Sequence, residues 1–313
     1  MSDPLTDRFP PTEQWRRSLA TYAKLVRVPN LFTAPPDVIL GAAIVSTFGY
    51  AARAGTIAGL ALASVLLYAA GTTLNDYFDA GEDARERPER PIPSGNISRR
   101  RALIFGATLL VSGVGIAFLS GGPSAAVVAA VLAVGIVAYD GALKGSVPGY
   151  LTMGANRGIN VVLGMAAAAS PSVLPMRAYL IPAIVTLYIG SVTYMAESET
   201  GATERLAVSI GVAGTSIAAF GVVGATVVTP VSAVGTAVAV ALLGGFLVWT
   251  GRPLRTAYAD PAPETVGPAI GACVLGLTIL AAAFAATAGA GWAIAAGSFF
   301  IPAAGLSKLF DVS

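Results

Sequence analysis

Apolar residues run along this chain in blocks about as long as a bilayer is thick, separated by short polar or glycine- and proline-containing stretches. At about 20 residues per crossing, the blocks predict helices near 31–50, 56–80, 102–120, 123–140, 152–170, 178–196, 207–228, 231–249 and 267–288. A further run, 291–307, is set apart by the glycines of the Ala288–Gly291 stretch and reads either as a tenth span or as a helix lying in the interface. The expected fold is all-α: a polytopic transmembrane bundle of about nine helices, with the tenth segment left open. Residues 1–30 carry Arg8, Arg16, Arg17, Lys24 and Arg27 without an early apolar core. They predict a cytoplasmic amphipathic lead-in rather than a cleavable signal peptide. Residues 31–313 then make a single transmembrane domain.

Composition narrows the function classes. Hydrophobic residues make up 55% of the 313 positions and charged residues only 12%, about half of what a soluble domain carries. An ordinary soluble enzyme is excluded, because such a chain has too little polar surface to cover itself. The chain has no histidine, which removes imidazole general bases, histidine-ligated haem and HExxH-type zinc sites. Its one cysteine, Cys273, lies in an apolar run and reads as a small core residue. Neither haem nor nucleic acid is an expected partner; membrane lipid is.

The few charges are placed unevenly. With the N-terminus inside, sixteen of the nineteen Lys and Arg residues fall in cytoplasmic segments, Lys308 among them if there are ten spans, and six lie between Arg85 and Arg101. Only Arg53 and Arg177 fall on the other side, and Arg157 lies within a span. That asymmetry fits the positive-inside rule for an integral protein of an inner or plasma membrane. Two polar loops, 75–101 and 194–205, each follow the second span of a four-span group and share an acidic-then-basic order. They suggest a weak repeat between 31–140 and 152–249, although any cytoplasmic loop tends toward such a composition.

The densest chemistry is Asn75-Asp76-Tyr77-Phe78-Asp79-Ala80-Gly81-Glu82-Asp83. Steps of three and four place Asp76, Asp79 and Asp83 on one side of a helix, with Asn75 one turn before Asp79. Carboxylates so close repel one another, and near a membrane helix end they are costly. Mg²⁺ relieves the repulsion and is commonly shared between carboxylates and substrate phosphates. A solvated acidic helix end is the plainer alternative. Beyond it, Arg87-Pro88-Glu89-Arg90-Pro91-Ile92-Pro93-Ser94-Gly95 folds the loop back and offers guanidinium groups suited to phosphate oxygens. The same arginines serve equally well as a basic loop that sets topology.

The Asn-Asp-x-x-Asp-x-x-x-Asp pattern followed by Arg-Pro-Ile-Pro-Ser-Gly resembles the first signature of the UbiA superfamily of intramembrane prenyltransferases. The resemblance extends from Arg27-Val28-Pro29-Asn30, through Tyr139 and Lys144, to Leu206-Ala207-Val208-Ser209-Ile210-Gly211. It implies transfer of a prenyl group from a polyprenyl diphosphate to a small-molecule acceptor, often an aromatic ring, with Mg²⁺ as cofactor. It implies Asn75, Asp76, Asp79 and Asp83 as the first metal motif, and Arg90 and Lys144 as diphosphate contacts. Tyr139 is implied near the allylic cation, where its ring face is favourable. The second acidic motif departs from the family pattern. Aligned on Gly201, it puts Glu197 at the second carboxylate position and Thr193 at the first, with Glu199 as an extra acid. Together with Asn30-Leu31-Phe32-Thr33-Ala34 and Asp37, this resembles the divergent EboC-type branch. Asp76, Asp79, Tyr139 and Glu197 are the expected catalytic residues, and Glu197 and Glu199 the expected second metal set.

Polar positions also lie within or beside the spans. Asp37 and Arg157 either neutralise each other or line the polar end of a substrate cavity, or both. Asn30 shares a face with Asp37, and Asn156 shares another with Asn160. Asn30, Asp37, Arg90, Lys144, Arg157 and Asn160 are therefore the candidate substrate-binding residues. Two further readings stand beside the transferase. One is a non-catalytic relative that binds or moves an isoprenoid or lipid-like metabolite, motivated by the thinned second motif. The other is an ion-coupled transporter using Asp37 and Arg157, which leaves the Asp76–Asp83 spacing unexplained.

Overall fold

A computed structural model of the chain describes residues 19–197 and 205–310. The regular structure is helical throughout. Helix α1 covers 19–25, α2 Val28–Leu31, α3 Pro35–Ser46, α4 Ala54–Phe78, α5 Ala80–Glu86 and α6 Arg99–Ala138. After them come α7 Val147–Met165, α8 Leu180–Glu197, α9 Arg205–Val228, α10 Ala233–Ala259 and α11 Pro263–Ala285. The short α12 Ala290–Gly297 and α13 Phe300–Phe310 complete the set. Eight stretches among the described residues are long and apolar enough to cross a membrane. The all-α polytopic expectation holds.

Helix α6 carries two of the expected spans. With the turn Tyr139–Leu143 it forms a 45-residue stretch, about 67 Å at 1.5 Å per residue and twice a hydrocarbon core. The chain reverses at Gly122, whose φ of 74° and ψ of −165° suit only glycine. Pro123 then opens the second helix, where its missing N–H costs nothing. Packing shows the reversal: Gly106 meets Leu74 and Gly113 meets Leu67, an antiparallel pairing with α4, whereas Ile136 lies against Gly71 on the way back.

The first span is shorter than expected. Pro35 and Pro36 open α3 only after a break at 32–34, so α2 and α3 together make the crossing. Helix α7 falls outside the eight apolar stretches because it holds Asn156, Arg157 and Asn160. It is nevertheless clamped between α3 and α8. A Cβ on Gly41 would collide with the Val161 carbonyl, one on Gly164 with the Val38 carbonyl, and one on Gly154 with the Thr186 carbonyl. Such bare backbone contacts let helices approach closely where lipid gives no hydrophobic drive. The contacts rise together along both helices, Asp37 with Arg157, Val38 with Gly164 and Gly41 with Met165, so α3 and α7 lie side by side and parallel.

The C-terminal run returns across the bundle. Helix α12 starts beside 286–288 and packs on α3, while α13 reaches α2 at the opposite end. The reading of 291–307 as a tenth crossing is the one the packing favours. Arg53 and Arg177 lie at one end of the bundle, Arg177 stacked 5.1 Å from the Phe48 ring. Arg27, Arg90 and Lys144 lie at the other, beside the acidic residues. The second half has its own core, where Tyr188 and Phe246 rings meet edge to face at 5.7 Å. The Tyr188 hydroxyl donates to the Cys273 carbonyl at 2.8 Å. Cys273 is buried there, as a small core residue should be. Leu119, Val111 and Ile301 point outward and exposed, as lipid-facing side chains do.

Candidate active site

Helix α4 runs into the acidic segment almost without a break, the Asp79 amide donating to the Asn75 carbonyl at 2.9 Å before α5 begins. The prolines at 88, 91 and 93 bring the loop back over α5. Arg90 Nη1 thereby reaches both Asp83 oxygens at 2.9 Å and lies 3.6 Å from Asp76. Arg27 comes from the opposite direction and donates to Asp76 at 2.9 Å and to Asn75 Oδ1 at 3.4 Å. Its φ of 50° is the single left-handed conformation outside glycine among the described residues, and strain of this kind gathers at functional sites. Lys144, at the end of a π-helical turn from Tyr139 to Leu143, is in direct contact with Asp79.

The expected single acidic face is therefore divided. Asp76 and Asp83 turn toward Arg27 and Arg90 and Asp79 toward Lys144, while Asn75 bridges the two groups, its Oδ1 accepting from Arg27 and its Nδ2 donating to Asp140 Oδ1 at 3.2 Å. Basic side chains relieve the repulsion that was ascribed to a metal. Arg90, expected on the diphosphate, spends its guanidinium on carboxylates. Among the described residues no three carboxylates converge closely enough to hold an ion as they stand. The donor chemistry still suits Mg²⁺. Asp79, Glu82, Asp140 and Glu197 line one recess of about 410 Å³ together with Lys144, and a hard cation takes such oxygens and keeps waters between them.

Glu197 ends α8 and receives the Tyr139 hydroxyl at 3.4 Å, joining the first acidic segment's side of the bundle to the second. Thr193 is buried on the same helix, its hydroxyl donating to the Ile189 carbonyl at 2.8 Å. Glu199 lies outside the described residues.

A cavity of about 480 Å³ leads inward from this mouth. Asn75, Asp79, Tyr139, Asp140, Lys144 and Glu197 line its polar opening. Leu67, Leu132, Ile136, Val192, Ile270 and Val274 give it apolar walls. Deeper, Asn30, Ser64, Asn156, Arg157 and Asn160 form a second polar region. There Arg157 Nη1 lies 3.2 Å from Asp37 Oδ2 and Nη2 donates to Thr33 at 2.7 Å. Asn160 Nδ2 donates to Asp37 Oδ2 and to the Ala34 carbonyl, each at 3.1 Å. Arg157 also sits 5.2 Å from the Tyr68 ring centre. Asp37 and Arg157 neutralise each other, and Arg157 and Asn160 line the cavity, while Asp37 is fully buried behind them.

Sequence reasoning missed Asp140 and Arg27 as site residues. Asp140 stands in the Tyr139–Lys144 segment already singled out, and an acid at the end of an apolar span was its signal. Arg27 was quoted only as the start of the resemblance, and its role at the site depends on a turn that aims it at Asp76.

A sequence profile described as the UbiA prenyltransferase family matches residues 38–266. A digeranylgeranylglyceryl phosphate synthase of Ignicoccus hospitalis is 34% identical over 152 residues, 48% of each chain. One from Methanothrix thermoacetophila is 37% identical over 126 residues, covering 40% of this chain and 46% of that protein. The chain thus aligns with about half the length of these curated relatives, or less. Among solved structures, a UbiA homologue from Aeropyrum pernix K1 superposes with a TM-score of 0.64 at 16% identity, covering 81% of this chain and 96% of that one. A digeranylgeranylglyceryl phosphate synthase structure gives 0.61 at 20% identity, covering 87% and 99%. A UbiA homologue from Archaeoglobus fulgidus bound to DMAPP and Mg²⁺ gives 0.57 at 14%, covering 89% and 99%. At such identities the structural likeness concerns the fold.

Proposed function

This chain belongs to the UbiA prenyltransferase family, and from that premise we propose that it transfers a prenyl group from a polyprenyl diphosphate to a small acceptor within the membrane. The observation that carries the reading is the single cavity that joins a carboxylate- and lysine-lined mouth to an apolar interior. The diphosphate belongs at the mouth and the isoprenoid between Leu67, Leu132, Ile136 and Val274. Mg²⁺, which the fulgidus homologue binds, would supply positive charge to bind the diphosphate and stabilise it as a leaving group. Asp79, Asp140 and Glu197 would hold the cation through oxygen, with Asn75 beside them and Asp76 and Asp83 kept in register by Arg27 and Arg90. Lys144 exchanges Asp79 for a diphosphate oxygen and stays through bond breaking. Tyr139 presents its ring near the allylic cation, its hydroxyl anchored on Glu197. The apolar walls exclude water from the cation. The mouth faces the cytoplasm, where the basic residues gather, and residues 31–313 act as one domain behind the lead-in, with 31–140 and 152–249 as its two repeated halves.

A second reading, an isoprenoid binder or carrier without catalysis, is favoured by Thr193 in place of a carboxylate and by acids already paired with arginine. The experiment that separates them supplies Mg²⁺, labelled farnesyl or geranylgeranyl diphosphate and candidate acceptors to purified protein. Mass spectrometry then looks for prenylated product with wild type and with Asp79→Ala. The transferase reading expects product from wild type alone. A protein that retains bound isoprenoid, forms no product and is indifferent to Asp79→Ala is a carrier.

A further inference from the structure

We infer that a patch at the mouth end of the bundle, formed by Arg99, Arg100 and Arg101 where α6 begins, binds the headgroup of an anionic phospholipid. None of the three lines the cavity or the recess beside it, and the inference stands independently of the prenyl-transfer reading.

Charge comes first. The chain carries no Asp or Glu between Glu89 and Asp140. Arg85 and Arg87, by contrast, stand among Glu82, Glu86 and Glu89. Arg27, Arg90 and Lys144 are spent on the acids of the mouth. All three arginines of the patch are exposed, and no ion pair among the described residues uses them. Three adjacent guanidinium groups repel one another, and an anion from outside the chain relieves that repulsion.

One of the three is held ready. The Arg99 guanidinium stacks over the Tyr77 ring, 4.7 Å from its centre, and its Nε donates to the Tyr77 carbonyl at 3.2 Å. Those contacts fix the side chain and leave its terminal nitrogens without a partner among the described residues. The fork that suits two phosphate oxygens is therefore unspent. Helix α1 is pinned alongside, with Tyr22 edge-on to Phe105 at 5.0 Å and Leu25 in one buried cluster with Ile97 and Ala102. It carries a further exposed cation, Lys24.

Position selects a lipid over a soluble anion. Arg100, Ile104 and Val111 share one stripe of α6, and Ile104 and Val111 are 56% and 74% exposed. The arginines thus stand about one turn from side chains that face acyl chains, at the depth of the lipid phosphates. There the aliphatic stem of an arginine lies along apolar surface while its head stays among polar groups. A phospholipid fills both levels at once, its phosphate on the guanidinium groups and its chains on the stripe. A zwitterionic headgroup fits less well, because its ammonium finds no carboxylate on this part of the chain and the Tyr77 face is already taken by Arg99.

The test measures lipid binding to the full chain by native mass spectrometry in a neutral detergent, with phosphatidylglycerol and phosphatidylcholine as the probes. Phosphatidylglycerol should bind wild type at least about ten-fold tighter than phosphatidylcholine. Each of Arg99→Gln, Arg100→Gln and Arg101→Gln should lower its affinity about five-fold. Arg99→Lys should recover only part of that loss, since it keeps the charge and gives up the fork. Arg252→Gln and Arg255→Gln, at exposed arginines of α10, should change nothing. Thermal unfolding checks each variant, and the three single substitutions read the same site independently if one of them does not fold. Equal affinity for the two lipids, or phosphatidylglycerol binding untouched by the three substitutions, overturns the inference. Binding lowered as much by the α10 substitutions overturns it too, because net charge alone then sets the affinity. So does displacement of the lipid by an equal concentration of inorganic phosphate, the behaviour of a site for soluble anions.

Discussion

Lys144 touches Asp79 across 65 residues of sequence, tying the turn after the second half of α6 to the end of α4. The contact places a cation and the central carboxylate of the acidic segment at one point of the cavity mouth. Removing the lysine leaves Asp79 for metal but takes a charge from the departing diphosphate. Lys144→Ala should lower kcat about 100-fold, near the cost of one stabilising donor, with Lys144→Arg recovering part of it. Steady-state turnover of prenyl diphosphate at saturating Mg²⁺ checks this.

Asp140 stands where the thinned second motif leaves a need for carboxylate. Asp140→Asn should raise the Mg²⁺ concentration for half-maximal turnover by about ten-fold or more, the scale seen when groups that support a metal are lost. Thr193→Asp should lower it. A Mg²⁺ titration of turnover across the two variants checks both signs.

Asp37 and Arg157 are buried against each other. Arg157→Leu or Asp37→Leu alone should destabilise by about 3–5 kcal/mol, because each leaves a buried unpaired charge, and the double variant should recover much of that loss. Thermal unfolding in one detergent across the double-mutant cycle reads the coupling.

Gly41 and Gly164 let the α3 and α7 backbones touch. Alanine at either position should cost about 1–3 kcal/mol through overpacking, and it should loosen the Asp37–Arg157 contact that those helices hold. The lowered melting temperature should come with a weaker effect of Arg157→Leu in the same background.

Much of this was legible in the chain. Gly122 fell between two expected spans, just before Pro123, and that is where α6 reverses. Tyr139, Lys144 and the Asn75–Asp83 segment were named from spacing and resemblance, and the fold brings them to one cavity. The pairing inside the segment was not legible. A helical wheel puts Asp76, Asp79 and Asp83 on one face, but which cation each meets depends on where the proline-bent loop returns Arg90 and where a left-handed residue aims Arg27. Long-range placement was hidden for the same reason: nothing local says that α3 and α7 lie parallel, so Asn160 could be paired with Asp37 only by the folded bundle. The short α3 was misjudged because Pro35 and Pro36 look like the interior of an apolar run and instead begin the helix.

The most direct test of the central claim is release of diphosphate from geranylgeranyl diphosphate by the purified protein in nanodiscs, with acceptor supplied, measured with Mg²⁺ and again with EDTA. The account predicts release that needs Mg²⁺ and falls at least 100-fold in Asp79→Ala, with thermal unfolding used to check that the variant is folded. Release that persists in EDTA, or that is unchanged in Asp79→Ala, would contradict it.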